Sequence, residues 1–505
     1  MNSKSSQYVL ALDLGTTGNR AMLFDAGAAV RAEAYKELTQ HYPQPGWVEH
    51  DPLEIWQDTR ECIKQVLTNT NITADQIVAI GLAVQRETCL LWDKTTGKPL
   101  HNAIVWQDRR TSSICRALAE QGHAKKIQNI TGLVLDAYFS ATKLAWMLEK
   151  VKCSGVEVDL NNVLAGTIDT WVLWNLTGGQ VHATDHSNAS RTMLMNLADL
   201  CWEPALLDLF GIPANLMPEI KPSMGLFGQT HTELLGASVP ITAVFGDQQA
   251  ALFAHGCNRP GMLKCTYGTG CFLISQTGNQ LTRSNNQLLS TVAWTNAAKN
   301  GAVKVNYAQE GAMFTTGASI QWLRDGLKLI TTSAQTEELA RMVSDTNGVY
   351  FVPALCGLGT PHWDMSARGA FLGITGGVRR EHMVRAVLES IAYQVKEVVE
   401  AMNCDSDTPI QYLKVDGGVA QNDFLMQFQA DALGIEIERP SIVEATAQGA
   451  AFAAGLAAGF WDDYENLVKA NKTDRIFEPG EGALKAQTNF PMWSKAVERA
   501  KNWLD

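Results

Sequence analysis

The sequence is short of the signals that most directly assign a function. It holds no run of about twenty apolar residues, the length a helix needs to cross a bilayer. Its ten cysteines (62, 89, 115, 153, 201, 257, 265, 271, 356 and 404) include no CxxC pair. They therefore read as reduced, mostly buried thiols rather than a disulfide framework or a metal knuckle. No Gly-Lys-Ser/Thr loop opens a helix, and no GxGxxG follows a strand, so neither a Walker A site nor a dinucleotide fold is expected. A basic stripe is missing too. The formal net charge of −11 argues against a nucleic-acid backbone as partner and disfavours an anionic membrane surface, but suits a small substrate that arrives with its own cation. Met1 to Gln7 lacks the charged-then-apolar pattern of a secretory signal, and no low-complexity linker interrupts the chain. A soluble cytoplasmic protein is expected.

What is present is ordinary for a globular chain: 46% apolar and 18% charged residues over 505 positions, enough for two large domains or about three smaller ones. The chemistry-bearing stretches sit at strand ends. Tyr8 to Leu12 reads as a buried strand, with Asp13 at its end and Gly15-Thr16-Thr17-Gly18 turning into a second strand. Such a turn exposes backbone N–H groups and two hydroxyls, donors that suit phosphate oxygens, and Arg20 can add a charged contact. Asp13 would repel a phosphate, so its natural role is to hold Mg²⁺ through water. An ordinary β-turn is the plain alternative.

Ile77 to Val84 is a further strand, ending in Gln85-Arg86-Glu87-Thr88, where a donor fork beside an acceptor suits a small polyol. A surface ion pair would look the same. Leu100 to Trp106 also reads as a strand, and Tyr138 reads as a hydroxyl donor or a core aromatic. Asn188 to Leu194 adds polar positions that brace this half. At mid-chain, Ile241 to Phe245 stops at Gly246, Asp247 follows, and an alanine-rich helix begins. Asp247 either caps that helix or takes a proton from a hydroxyl; the stretch alone leaves the two readings even.

After it the texture repeats. Gly268-Thr269-Gly270 turns a second hairpin like that of Gly15 to Gly18, which suggests a duplicated core with its seam between Phe253 and Gly261. Glu310-Gly311 with Gly317 to Leu323 reads as a glycine-opened helix, and Glu381 to Met402 as a core helix with apolar residues every three or four positions. Val415-Asp416-Gly417-Gly418 is a turn on which a flat ring could lie, with Asn422 capping the next helix.

In this order, Asp13-Leu14-Gly15-Thr16-Thr17, Gly246-Asp247, Gly268-Thr269-Gly270 and Val415-Asp416-Gly417-Gly418 resemble the actin-like ATPase superfamily. Tyr138 to Trp146 and Gly417 to Gln427 are similar to the two signatures of the FGGY carbohydrate kinases. Gln85 to Thr88, Asn188 to Leu194, Gly246 to Phe253 and Gly317 to Asp325 are similar to the members that phosphorylate glycerol. The resemblance implies an α/β chain of two duplicated ribonuclease-H-like domains, 1–254 and 255–505, with a cleft between them. It implies glycerol held by Arg86, Glu87, Tyr138, Asp247 and Gln248, walled by Trp106 and Phe272, with Asp247 as general base. ATP or ADP would meet Thr16, Thr17, Gly18, Arg20 and Thr269 at its phosphates, and Gly317, Gln321, Gly418 and Asn422 at its adenosine end. Asp13 would join the Mg²⁺ shell, and the chain would assemble as a homodimer or homotetramer.

Leu14, Gly18 and Asn19 depart from the commoner Gln and Ser-Ser of such phosphate loops. Relatives inhibited by fructose 1,6-bisphosphate carry a glycine-rich, Arg-bearing loop where this chain has Thr230 to Ser238 with no basic arginine or lysine, so that inhibition is expected to be weak or absent. The alternatives are a kinase for another polyol or sugar of the family, or an actin- or chaperone-type ATPase. The second would need an added substrate-binding domain or no polyol set.

Overall fold

The first strand of the chain is apolar on both faces. Val9, Leu10, Ala11, Leu12 and Leu14 are all fully buried, as a sheet covered on both sides requires. The computed structural model describes residues 6–153, 159–297, 302–441 and 444–504. Residues 1–5, part of the stretch read above for a leader, lie outside the described residues.

Among the described residues, thirteen strands form one sheet. They are β1 (Tyr8–Leu14), β2 (Gly18–Phe24), β3 (Val30–Glu37), β4 (Ile77–Val84), β5 (Met224–Gln229), β6 (Pro240–Gly246), β7 (Met262–Tyr267), β8 (Cys271–Gly278), β9 (Leu289–Ala297), β10 (Val303–Met313), β11 (Tyr412–Asp416), β12 (Glu436–Pro440) and β13 (Thr473–Phe477). The sheet is two copies of one pattern. β1 pairs antiparallel with β2, which pairs with β3, while β4 and then β6 lie parallel on its other side. β7 repeats this with β8 and β10 antiparallel and β11 and β12 parallel. A single pair, Met224↔Asn296, joins β5 to β9 between the copies. The duplication expected from two short turns is thus a repeat of whole topology, with β1–β6 before the expected seam and β7–β13 after it.

The helices that matter for the site are α1 (Pro52–Thr70), α2 (His186–Ala189), α3 (Asp247–Ala254), α4 (Gly317–Gln321), α5 (Arg380–Asp405), α6 (Asp423–Leu433) and α7 (Ala445–Ala457). Asp51 caps α1 through Leu53 N at 2.8 Å, with Pro52 at its first position. On α5, Val384, Val387, Leu388, Ile391, Val395, Val398 and Met402 are all buried, each contributing about 1.5–3 kcal/mol. α7 lies against both α3 and β4 at backbone distance. A Cβ on Gly449 would stand 1.9 Å from the Ala250 carbonyl oxygen, and one on Gly81 would stand 2.1 Å from that of Ala450. Side chains are excluded there, so the small-residue run of α7 reads as a contact between the two halves.

Two local expectations need correcting. Only Ala103–Ile104 of the Leu100 to Trp106 stretch pairs as a strand. Beyond it, Asp108 turns the chain by accepting from Val48 N at 2.7 Å, and Trp106 N donates to Thr88 Oγ1 at 3.3 Å. Glu310 and Gly311 lie inside β10 rather than before a helix; hydrogen bonding to β8 and β9 on both sides holds them there.

Candidate active site

Strand register gathers the first half of the site. Leu14 pairs with Val84, and Val84 with Gly246, so β1, β4 and β6 end in one row. The residues that leave those ends converge at the carboxyl edge of the sheet, where open α/β sheets bind ligands. Asp247 leaves the third of them. Gly246 occupies the cap position of α3 with φ −69° and ψ 148°, and no side chain caps the helix. The Asp247 carboxylate instead accepts from Gln248 N at 2.7 Å and lies 3.2 Å from Arg86 Nε, with a quarter of its side chain exposed. Asp247 is thus the first residue of α3 rather than its N-cap, and its carboxylate meets both a first-turn N–H of the helix and Arg86. Burial pushes its carboxyl above the ordinary aspartate range, against the pull of Arg86.

Arg86 and Glu87 leave β4 beside it, and both are buried. Arg86 differs from the open fork expected of it. Its Nη1 and Nη2 donate to Glu310 at 2.5 and 3.1 Å, so its terminal edge is committed within the chain. Glu87 sits at φ +61°, a left-handed conformation that costs a non-glycine residue about 1–3 kcal/mol. One of its oxygens accepts from Arg191 Nε at 2.6 Å.

Facing this pair is an aromatic cage. Trp106 meets Tyr138 at 5.7 Å and Phe272 at 5.6 Å between ring centroids, both edge-on. The Trp106 indole also donates to Thr16 Oγ1 at 2.8 Å, which ties the cage to the first glycine-threonine turn. Gln248, the remaining expected contact, accepts from Lys264 Nζ through Oε1 at 2.8 Å. Lysine has no acceptor, so the Gln248 amide must turn its NH₂ away from Lys264.

The first turn is held from several sides. Gly15 N donates to Gly18 O at 3.0 Å, Gln40 Nε2 to Thr16 O at 2.8 Å and Leu38 N to Thr17 O at 2.9 Å. Gly18 begins β2 under Tyr35, where a Cβ would lie 2.4 Å from the phenol oxygen; packing accounts for it as a glycine. Arg20 pairs with Glu444 at 2.8 Å and Glu33 at 3.3 Å, so its guanidinium faces carboxylates here. Asp13 is raised to about 7, first by burial and then by Asp247 and Glu444, with Arg20 opposing.

In the second half, a cavity of about 470 Å³ is lined by Thr269, Gly317, Gln321, Gly418 and Asn422, all expected around a nucleotide, and by Thr336 and Glu337, which were not. It is built largely from backbone. Gly317 N donates to Gly268 O at 2.9 Å, and Gly417 holds φ +90° with Tyr267 O where its Cβ would be, 2.5 Å away. Asn422 caps α6 through Leu425 N at 2.9 Å, as expected, and its amide also donates to Thr336 at 3.1 Å.

Comparison with known proteins decides the family. Models of the FGGY family of carbohydrate kinases match twice, the N-terminal domain over residues 8–254 and the C-terminal domain over 263–458. The chain belongs to the FGGY carbohydrate kinases. A glycerol kinase of Rippkaea orientalis is 67% identical to this FGGY chain, covering 100% of both. Glycerol kinase 2 of Thermotoga maritima is 52% identical over 98% of this chain and 99% of its own length. Among solved structures, the glycerol kinase of Plasmodium falciparum with ADP superposes with a TM-score of 0.88 at 33% identity, covering 98% of both chains. The gluconate kinase of Lactobacillus acidophilus gives the same TM-score, 0.88, at 22% identity over 98% of each chain, which speaks for the fold alone. The FGGY fold is thus the two-domain, actin-like arrangement that the repeated sheet pattern describes.

Sequence reasoning missed Arg191 and Glu310 as site neighbours, Lys264 altogether, and the Thr336-Glu337 wall; by sequence Glu310 reads only as the start of a helix. Arg191 lay in a stretch read as bracing. Lys264 carries a signal that is weak without a fold, the one charge of its strand, and Glu310 sits among other polar residues of a strand that also holds Lys304, so neither stands out locally.

Proposed function

We infer that this chain transfers the γ-phosphoryl group of ATP to a terminal hydroxyl of glycerol, giving sn-glycerol 3-phosphate and ADP. The observation that supports this is Asp247: a part-exposed carboxylate, raised in proton affinity, at a strand–helix junction 3.2 Å from Arg86, whose neighbour is Glu87. The glycerol oxygen attacks the γ-phosphorus, its proton passes to Asp247, and the bond to the bridging oxygen breaks as ADP leaves. Arg86, Glu87, Tyr138 and Gln248 would orient the hydroxyls, and Trp106 and Phe272 would exclude water from the carbon chain. Thr16, Thr17, Arg20 and Thr269 would face the phosphates, with Arg20 exchanging Glu444 for them. Gly317, Gln321, Gly418 and Asn422 would frame the adenosine.

Mg²⁺ fits the donors present. Asp13 offers hard oxygens and is raised to about 7, first by burial and then by its carboxylate neighbours Asp247 and Glu444, an imbalance a cation corrects. Asp13 would hold Mg²⁺ through water, and the ion would supply charge neutralisation on the phosphates. Domains of 1–254 and 255–505, a homodimer or homotetramer, and action in the cytoplasm complete the reading. ADP release measured against a panel of polyols tests it: turnover that needs glycerol is expected, and turnover independent of any polyol would overturn it. Thr230 to Ser238 forms a connection between two strands with a short helix, Thr232–Leu235, bearing Glu233. Fructose 1,6-bisphosphate should therefore inhibit weakly or not at all, and micromolar inhibition in a titration would refute that.

A further inference from the structure

Four buried side chains behind the proposed polyol pocket form a closed run of alternating charge. Arg86 gives both terminal nitrogens to Glu310, at 2.5 and 3.1 Å. Glu310 Oε1 also accepts from Arg191 Nη2 at 3.1 Å, and Arg191 Nε donates to Glu87 at 2.6 Å. Arg86 and Glu87 are neighbours in sequence, so the run returns to its start. Each of the four side chains is at most 2% exposed. They come from three places: Arg86 and Glu87 from the end of β4, Arg191 from the turn after α2, and Glu310 from β10 in the other half.

We propose that Glu310 and Arg191 are positioning residues for the polyol, holding Arg86 and Glu87 so that their remaining donor and acceptor atoms face the substrate hydroxyls. This deepens the glycerol-phosphorylating reading and rests on it. The accounting is by atom. With its terminal nitrogens on Glu310, Arg86 keeps a buried Nε–H that has no hydrogen-bond partner among the described residues and lies beside Asp247. Glu87 has one oxygen on Arg191, and its other oxygen has no protein donor among the described residues. What the run leaves over is one donor and one acceptor next to the proposed base, the pattern a vicinal pair of hydroxyls requires.

Structure alone gives the cell of charges little reason to exist. A buried ion network is weak evidence for stability, because apolar residues of similar volume fill such a space as well or better. Here, however, it meets a backbone already strained at Glu87, φ +61°, and it is itself braced. Asp185 caps α2 through Ser187 N at 2.8 Å and Asn188 N at 2.9 Å. Ser187 Oγ accepts from Gly246 N at 2.9 Å, next to Asp247. The Arg191 guanidinium lies over Tyr138 at 5.6 Å and Phe139 at 5.4 Å, so it also backs the cage. Arg191 and Arg86 keep the Glu310 carboxyl below its ordinary range despite full burial, whereas burial pushes Glu87 above its ordinary range against the same two arginines.

The test compares Glu310→Gln, Arg191→Lys and the double variant Glu310→Gln/Arg191→Met in the full chain. The double variant removes one charge of each sign and leaves Arg86 and Glu87 balanced. Positioning predicts that glycerol KM rises about 10- to 100-fold in all three while ATP KM stays within about twofold. It also predicts that the double variant melts closer to wild type than Glu310→Gln does, yet keeps the raised glycerol KM. Glycerol KM within about twofold of wild type in a folded double variant would overturn the proposal. So would failure of every variant to gain Tm on adding ADP under conditions where the wild type does, since the charges would then serve the fold alone. A wild-type chain that ignores glycerol would instead sink the functional reading, which keeps the two failures apart.

Discussion

The two halves of the cleft solve recognition with different materials. The first half presents charged and aromatic side chains: Arg86, Glu87, Asp247, Tyr138 and Trp106, each held by partners of its own. The second presents backbone: glycines 268, 317 and 418 line a cavity of about 470 Å³ with Thr269 and Asn422, and Gly417 packs behind it against Tyr267. A side-chain site discriminates by matching each hydroxyl, and its failures come one group at a time. A backbone site accepts a flat ring and a phosphate chain because nothing protrudes, and it fails when something does.

The largest effect should follow from the side-chain half. Asp247→Asn preserves size and the approach of Gln248 N but removes proton acceptance. Its turnover is expected to fall about 10²- to 10⁴-fold with ADP binding retained by calorimetry. Near-wild-type turnover would remove Asp247 as the base. In wild type the same residue sets a pH dependence. Its carboxyl is raised by burial, and only the ionised form accepts a proton, so kcat/KM should drop as pH falls through that value. The acid limb should lie above the ordinary aspartate value of about 3.9. A limb at or below it would show that Arg86 outweighs burial.

The backbone half should break differently at adjacent glycines. A Cβ on Gly417 would lie 2.5 Å from Tyr267 O at φ +90°, whereas one on Gly418 meets nothing within 4 Å. Gly417→Ala is expected to destabilise the fold by about 1–3 kcal/mol, read as a lower Tm. Gly418→Ala should leave Tm unchanged but raise ATP KM, because its methyl enters the cavity. Equal behaviour of the two variants would mean that the cavity is not a nucleotide site.

How much of this was legible beforehand follows the same divide. Strand ends were readable because apolar runs stop abruptly at Asp13, Gln85 and Gly246, and strand order then follows from pairing. The capping role of Asn422 was readable because it is local, decided within three residues. Arg86 as a free fork was misjudged because its partner, Glu310, lies 224 positions away, and no local pattern encodes a long-range ion pair. The strand expected over Leu100 to Trp106 failed for a related reason: Asp108 reaches Val48, 60 positions away, and bends the chain there. Residue types announced the chemistry, but partners across the sheet decided which atoms remain available for it.

Trp106 tests whether the two materials are joined. Its ring belongs to the cage at the proposed polyol pocket, while its indole N–H holds Thr16 in the proposed phosphate turn at 2.8 Å. Trp106→Phe keeps the ring contact with Tyr138 and Phe272 but frees the Thr16 hydroxyl. A neutral hydrogen bond of this kind contributes about 0.5–1.5 kcal/mol, so a loss of roughly 3- to 10-fold is expected. If the cage alone mattered, the loss would fall on glycerol KM. If the bond transmits polyol binding to the phosphate turn, kcat and ATP KM should change as well, and Thr16→Val should reproduce that part with glycerol KM unaltered. Additive losses in the Trp106→Phe/Thr16→Val double variant would separate the two regions, whereas a double variant no worse than Trp106→Phe would make them one unit.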